Sequence, residues 1–306
     1  MKKVIIDVDT GIDDAIGILL AEKSGKADIL GITTVNGNTS LEQATINTRK
    51  VTTLLGRDDL KVVQGANRPL MREPFFEVSV HGNDGIGGAL KEMEVEIRDE
   101  GFAPDFIIEQ AKKYPGEITV ILLAPLTNMA LALRKEPRLK EWLKELVIMG
   151  GAVDHPGNIT ATAEYNMYID PEAAKIVFHS GIPITLVGLD VTANTLLTKK
   201  DVEAIQPGPA RDFVEESTVH YMNHYLKRNG KEACSMHDPL AVGVALDRTL
   251  VKTEKYFVDV ETKSELCDGQ TVCDFKNYYK KEPNVDVCVE VDDVRFIQTL
   301  VDTLSK

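Results

Sequence analysis

Asp7-Val8-Asp9-Thr10-Gly11-Ile12-Asp13-Asp14 places four carboxylates within eight residues. Apolar Val4, Ile5 and Ile6 lead into it, so residues 4–8 predict a buried strand. Ala15, Ile16, Leu19 and Leu20 follow at helical spacing and predict a helix over residues 13–22. The acids therefore fall where a strand hands over to a helix, the end at which open parallel sheets bind ligands. Alternation puts Asp7 and Asp9 on one side, and Gly11 permits a tight turn. A helix N-terminus stabilises one or two acids. Four at close quarters repel one another unless a cation neutralises them. Hard oxygen donors of this kind suit Ca²⁺ or Mg²⁺.

Outward from that segment, apolar runs of strand length alternate with helical patterns. Residues 29–35, 118–123, 146–149 and 184–187 read as strands, and 41–55 and 126–135 as helices. Such alternation predicts an α/β fold with a mostly parallel open sheet flanked by helices. Helical patterns run from 198 to about 228, and another helix starts near Asp238. Residues 256–261, 271–278 and 285–291 read as late antiparallel strands. Two stretches, 65–88 with HGNDGIGG and 150–171, are rich in small and polar residues, as functional loops are. No linker, repeat or low-complexity segment divides the chain, so a single domain over 1–306 is expected.

The 306 residues are 43% hydrophobic and 27% charged, which fits a globular chain and excludes disordered and fibrous classes. The net charge of −13 disfavours nucleic acid or an anionic membrane as partner and leaves small molecules, cations and proteins. The apolar run at the start is too short for a secretory signal or a membrane helix. Cys234, Cys267, Cys273 and Cys288 form no C-x-x-C pair and read as reduced thiols, so a cytoplasmic location is expected. A zinc or disulfide role for Cys267 and Cys273 lacks a nearby His set.

DVDTGIDDA at 7–15 resembles the D-x-D-x-G-x-D-D signature of the nucleoside hydrolases, calcium-dependent nucleoside N-ribohydrolases, with Thr10 where Pro is common. TTVNGN at 33–38, LAPLTNMA at 123–130, MGGAVDHPGNITATAEYN at 149–166 and MHDPLAV at 236–242 are similar to further motifs of that family, in family order. The resemblance implies hydrolysis of the N-glycosidic bond of ribonucleosides to ribose and free base, in purine and pyrimidine salvage. It implies Ca²⁺ on Asp9, Asp14, Asp238 and the backbone carbonyl of Leu123. Coordination positions left open would take the ribose 2′- and 3′-hydroxyls and the attacking water. It further implies that Asn38 supports this shell, Asp13 accepts from the 2′-hydroxyl, Asn166 binds the 3′-hydroxyl, and Glu164 and Asn158 reach the 5′-hydroxyl. A homodimer or homotetramer is expected by resemblance alone.

Losing the base leaves an oxocarbenium-like ribose, whose charge carboxylates stabilise. Asp9 is the expected general base and His237, abutting Asp238, the expected acid for the leaving base, since an unperturbed histidine titrates near ~6.5. His81 and Tyr225 resemble base-contacting positions, and Met149 ends a strand from which it can touch the ribose. His220, Tyr221 and His224 share the stretch of Tyr225 with no order of preference among them. The single tryptophan, Trp142, reads as a helix-packing anchor, which excludes clamping of the base between two tryptophans of one chain. Base preference is thus expected to be of uridine and inosine type or nonspecific. Two rival readings remain. DVDTG is also similar to the D-x-D-x-T motif of haloacid-dehalogenase-like Mg²⁺ phosphatases, which would make Asp7 a nucleophile. The chain could also be a nucleoside- or ribose-binding module without turnover.

Overall fold

Val4, Ile6 and Val8 project to one side of the first strand and Ile5 to the other, and each side meets its own buried cluster. That two-sided burial is what an inner parallel strand requires, and it explains the unbroken apolar run. The computed structural model describes residues 1–76 and 78–306. Its strands are β1 (Lys2–Val8), β2 (Ala27–Thr34), β3 (Val62–Gln64), β4 (Ile118–Leu122), β5 (Leu143–Met149), β6 (Ile184–Val187), β7 (Leu196–Thr198), β8 (Ala233–Ser235), β9 (Val251–Tyr256), β10 (Val258–Val260), β11 (Thr271–Cys273) and β12 (Val285–Val291). The main sheet has the order β3-β2-β1-β4-β5-β6-β12-β9, while β7–β8 and β10–β11 form small separate pairs.

The chain builds β1, β2 and β3 in one direction and then returns to place β4 on the other side of β1. This reversal opens a crevice between the C-terminal ends of β1 and β4, the switch point where open α/β sheets bind ligands. Helices Ile12–Lys23, His237–Leu246 and Asp293–Leu304 pack on the Val4 side, and Ala103–Lys113, Thr127–Lys135 and Pro171–Phe178 on the Ile5 side. Among the described residues no helix is long and apolar enough to cross a membrane.

The late strands pair antiparallel as expected, β9 with β12 and β10 with β11, but β12 also takes a parallel neighbour. β12 runs parallel to β6, pairing Asp286 with Thr185, and antiparallel only to β9. Hydrophobic alternation is the same for both directions, so the sequence carried no signal for this choice. Residues 256–261 also divide, because Phe257 lies between β9 and β10. Gly11 departs from its expected role too. Its φ of −85° is open to any residue. It is glycine for want of space, since a Cβ there would lie 2.7 Å from His81 Nδ1 and 2.8 Å from Asn38 Nδ2.

Asp170 ties three segments that surround the crevice. Its buried carboxylate accepts from Leu70 N (2.8 Å), Thr127 Oγ1 (2.7 Å) and Ala173 N (3.0 Å), the last capping Pro171–Phe178. Asp170→Ala leaves those donors unpartnered and is expected to cost about 2–4 kcal/mol, measured by urea unfolding. A loss under about 0.5 kcal/mol would show that the hub carries no net stability.

Candidate active site

The floor of the crevice is acidic. Ile12–Lys23 begins with Asp13 and Asp14 in its first turn, and His237–Leu246 begins with Asp238 in its own. These two helices pack together, so both acidic N-termini meet at one point. Oxygens of Asp13, Asp14 and Asp238 all lie within 4.8 Å of one another, and all three residues are buried. Asp9 touches Asp14 through its carboxyl and its backbone N–H, the latter donating at 3.3 Å. Asn38 spans the pair, its N–H donating to Asp9 Oδ2 (2.5 Å) and its Nδ2 reaching Asp9 Oδ1 (3.2 Å) and Asp14 Oδ2 (3.3 Å). A Cβ on Gly37 would collide with Asp9, so the preceding glycine is what lets Asn38 approach.

Burial and mutual repulsion push Asp9, Asp13 and Asp238 above the ordinary carboxylate range, and burial pushes Asp14 the same way. Asp13 Oδ1 is buried with no hydrogen-bond partner. An orphaned carboxylate oxygen among three further acids fits a cation, and the all-oxygen donor set fits a hard one. The chain is metal-dependent by this chemistry and by family. The Leu123 carbonyl adjoins the same space, where Asn166 Nδ2 donates to it at 2.9 Å. Two of the three expected carboxylate ligands, Asp14 and Asp238, belong to the closest trio. Asp13 completes that trio, and Asp9 joins it through its contact with Asp14.

Above this floor lies a cavity of about 490 Å³, within the ordinary range for a small-molecule site. It brings together Asp13, Asn38, His81, Leu123, Met149, Asn158, Glu164, Asn166, Tyr225, His237 and Asp238, drawn from seven separated stretches of sequence. Asn166 Nδ2 is occupied by the Leu123 and Met149 carbonyls, which leaves Oδ1 as its free acceptor. Asn158 Oδ1 accepts from Tyr165 N, which leaves its NH₂ group as a donor. Glu164 holds the 150–171 loop in place by accepting from Gly151 N (2.9 Å), Asn166 N (2.9 Å) and Met167 N (3.2 Å).

Burial holds His81 and His237 neutral. His81 Nδ1 accepts from Ile12 N at 3.1 Å, capping the acidic helix, and burial pushes its pKa down to about 3. Its ring meets Tyr221 edge-on with centroids 6.0 Å apart. Burial lowers His237 to about 4, below the value expected of a free side chain. His237 Nδ1 lies 2.8 Å from the Thr192 hydroxyl. When that hydroxyl donates, the ring proton resides on Nε2. Thr192, His155 and Arg228 were missed from the sequence. Of these, His155 and Arg228 line the mouth, and Arg228 Nη2 donates to the Asn158 carbonyl at 3.3 Å. Tyr221 and His224 also line the cavity, while His220 lies 3.1 Å from the Ser79 carbonyl through Nε2.

Asp7 stands apart from the cavity. It is fully buried, bonded to Asn128 (2.8 Å) and Thr33, and pushed up to about 7 by burial. A phosphatase nucleophile needs access to its substrate, so the haloacid-dehalogenase-like reading fails here. The family model for inosine-uridine preferring nucleoside hydrolases matches residues 4–298. The chain belongs to this family. It is 37% identical to the inosine-uridine preferring nucleoside hydrolase of Crithidia fasciculata, covering 100% of this chain and 98% of that one. A plant nucleoside hydrolase structure superposes with a TM-score of 0.95 at 33% identity, covering 99% of each chain. The purine-preferring ribonucleoside hydrolase from Gardnerella vaginalis gives 0.90 at 36%, covering 99% of this chain and 98% of that one. The fold is theirs, and the chain is an enzyme that hydrolyses the N-glycosidic bond of ribonucleosides.

The raised carboxyl values predict how pH and cation act together. A group whose folded pKa is raised stabilises the fold fully below its unfolded value, near ~3.9, and that contribution is lost as pH rises through the folded value. Asp7 places part of that loss between the ordinary carboxylate range and about 7. The cation-free protein therefore loses stability with rising pH, and cation binding competes with protons for the floor. The increase in Tm caused by saturating Ca²⁺ is expected to grow from about pH 5 to about pH 8. Scanning calorimetry with Ca²⁺ or chelator checks this, and a shift that shrinks with pH would contradict it.

Proposed function

We propose that the chain cleaves ribonucleosides around one Ca²⁺ held by Asp9, Asp14, Asp238 and the Leu123 carbonyl. The unpartnered oxygen of Asp13 carries this reading, because Asp13 both clusters with Asp14 and Asp238 and lines the cavity in which a ribose would lie. When bound, the ion would supply Lewis acidity toward the vicinal ribose hydroxyls and the attacking water.

The chain's own groups then have separate tasks. Asp13 accepts from the 2′-hydroxyl, and Asn166 Oδ1 accepts from the 3′-hydroxyl. The Asn158 NH₂ group and Glu164 take the 5′-hydroxyl, with Met149 against the sugar. Fixing the sugar at all three hydroxyls converts binding into orientation. Asp9, held by two donors of Asn38, takes the proton from the attacking water. As the C–N bond breaks, the surrounding carboxylates offset the positive charge that develops on the ribose. His237 supports departure from the other side by presenting its Nε2 proton to the base, where negative charge collects. His81, Tyr221 and Tyr225 complete the base end.

Trp142 lies outside the cavity with Arg138 (4.9 Å) and Lys112 (5.3 Å) over its ring, a packing role. A base end of histidines and tyrosines supports turnover of uridine or inosine without strict purine specificity. One domain over 1–306 accords with the extent of the family match. Four free cysteines accord with a cytoplasmic enzyme of nucleoside salvage. The net charge of −13 speaks against a nucleic acid or anionic membrane partner. A homodimer or homotetramer completes the proposal.

Substrates with different leaving groups test the division of labour. His237→Ala is expected to slow uridine and inosine by about 10²–10⁴-fold in kcat/KM. It should leave p-nitrophenyl riboside within about threefold, since that phenolate departs unaided. Equal losses on both substrates would reassign His237 to holding Asp238.

A further inference from the structure

We infer that Asn128, which lies outside the cavity, is the positioning residue that sets the alignment of the catalytic floor. The inference rests on the cation-centre reading above and adds a residue to it. Asn128 is fully buried in the first turn of Thr127–Lys135 and uses its whole amide on strand ends. Its Nδ2 donates to Asp7 Oδ1 at 2.8 Å and to the Thr34 carbonyl at 3.1 Å, and its Oδ1 accepts from Ala66 N at 2.9 Å. One side chain thus fixes the C-terminal ends of β1 and β2, and the chain just beyond β3, against the helix that follows β4. A Cβ on Gly65 would collide with this amide, so that glycine is the cradle that admits it.

Each bond leads to a group of the site by a short path. Asp7 precedes Asp9 by two residues, and its carbonyl accepts from Leu123 N at 2.9 Å, so its placement governs Asp9 and the Leu123 carbonyl together. Thr34 leads through Gly37 to Asn38, which spans Asp9 and Asp14. Ala66 opens the stretch that carries His81 back onto Ile12, next to Asp13. Ala66 is held from its other side as well, its carbonyl accepting from Asn36 N at 3.0 Å. An aliphatic residue at 128 would take a bond from each of the three partners in a dry interior, leaving Asp7 Oδ1 with Thr33 alone. An aspartate would retain the acceptor for Ala66 N but set a second carboxylate against Asp7. Misplacement of reacting groups by about 1 Å costs on the order of 10²-fold in rate, so a distant hub of this kind is felt in turnover.

The test compares Asn128→Asp with Asp170→Ala, a buried hub with three bonds of its own. Calorimetric titration with Ca²⁺ and kcat for uridine are measured on both well below their Tm. Asn128→Asp is expected to weaken Ca²⁺ binding at least about tenfold and to lower kcat at least about thirtyfold. Asp170→Ala should lose stability yet stay within about threefold in both. Adding Asp7→Asn to Asn128→Asp exchanges donor and acceptor across the 2.8 Å bond and should recover about tenfold in kcat. Should Asn128→Asp fail to fold, Asn128→Ser is held to the same criteria. Wild-type Ca²⁺ affinity and turnover by Asn128→Asp, or losses matched by Asp170→Ala, overturn the inference. The wild-type titration in the same series tests the cation centre separately.

Discussion

Carboxylates that share one water-poor pocket repel one another, and the cost of ionising them all rises steeply with burial. Asp9, Asp13, Asp14 and Asp238 are placed so that none escapes this constraint. Two acidic helix N-termini converge on the switch point of a parallel sheet, and helix dipoles alone offset little of the repulsion. A hard divalent cation relieves it. In the proposed mechanism the same ion would give the vicinal hydroxyls of a ribose a place to bind, so that charge neutrality and recognition of the sugar would have one origin. The surrounding scaffold serves this point. Asn38 bridges Asp9 and Asp14, and His81 caps the helix that carries Asp13 and Asp14. Glu164 fastens the loop that closes the sugar side.

Much of this was legible in the sequence because the decisive pattern is local. Strand, acidic turn and helix follow one another within the first twenty-odd residues, and apolar periodicity reports burial directly. Asp238 could be joined to that cluster only by resemblance, since nothing in MHDPLAV itself points across the sheet. What escaped depends on long-range partners. The parallel direction of β12 leaves no trace in alternation. Asp7 reads like its neighbour Asp9, yet a bond from Asn128, more than a hundred residues away in sequence, makes it structural. The neutral state of His237 follows from burial that no short motif encodes, and Thr192 gave no signal at all. Glu164 was read as a ligand contact, and the same carboxylate also caps three backbone donors.

The two ends of the cavity answer to different physics. The proposed sugar end is charged and built from strand ends and helix starts. The proposed base end is formed by Tyr221, His224 and Tyr225 on one face of Pro209–Asn229, with His81 against Tyr221. Related proteins are described by different preferences, inosine and uridine in one and purines in another, at 37% and 36% identity to this chain. A fixed floor under a variable roof is consistent with that spread, since changes on a helix face leave the carboxylates untouched.

The claim that everything else leans on is the cation at the four carboxylates. Its direct measure is the metal content of the purified chain after equilibration in Ca²⁺ and removal of unbound ion, alongside that of Asp238→Asn. The account predicts about one calcium per wild-type chain, none retained in the variant, and release of base only where calcium is retained. Wild-type protein free of divalent metal that still releases ribose and base at full rate would contradict it.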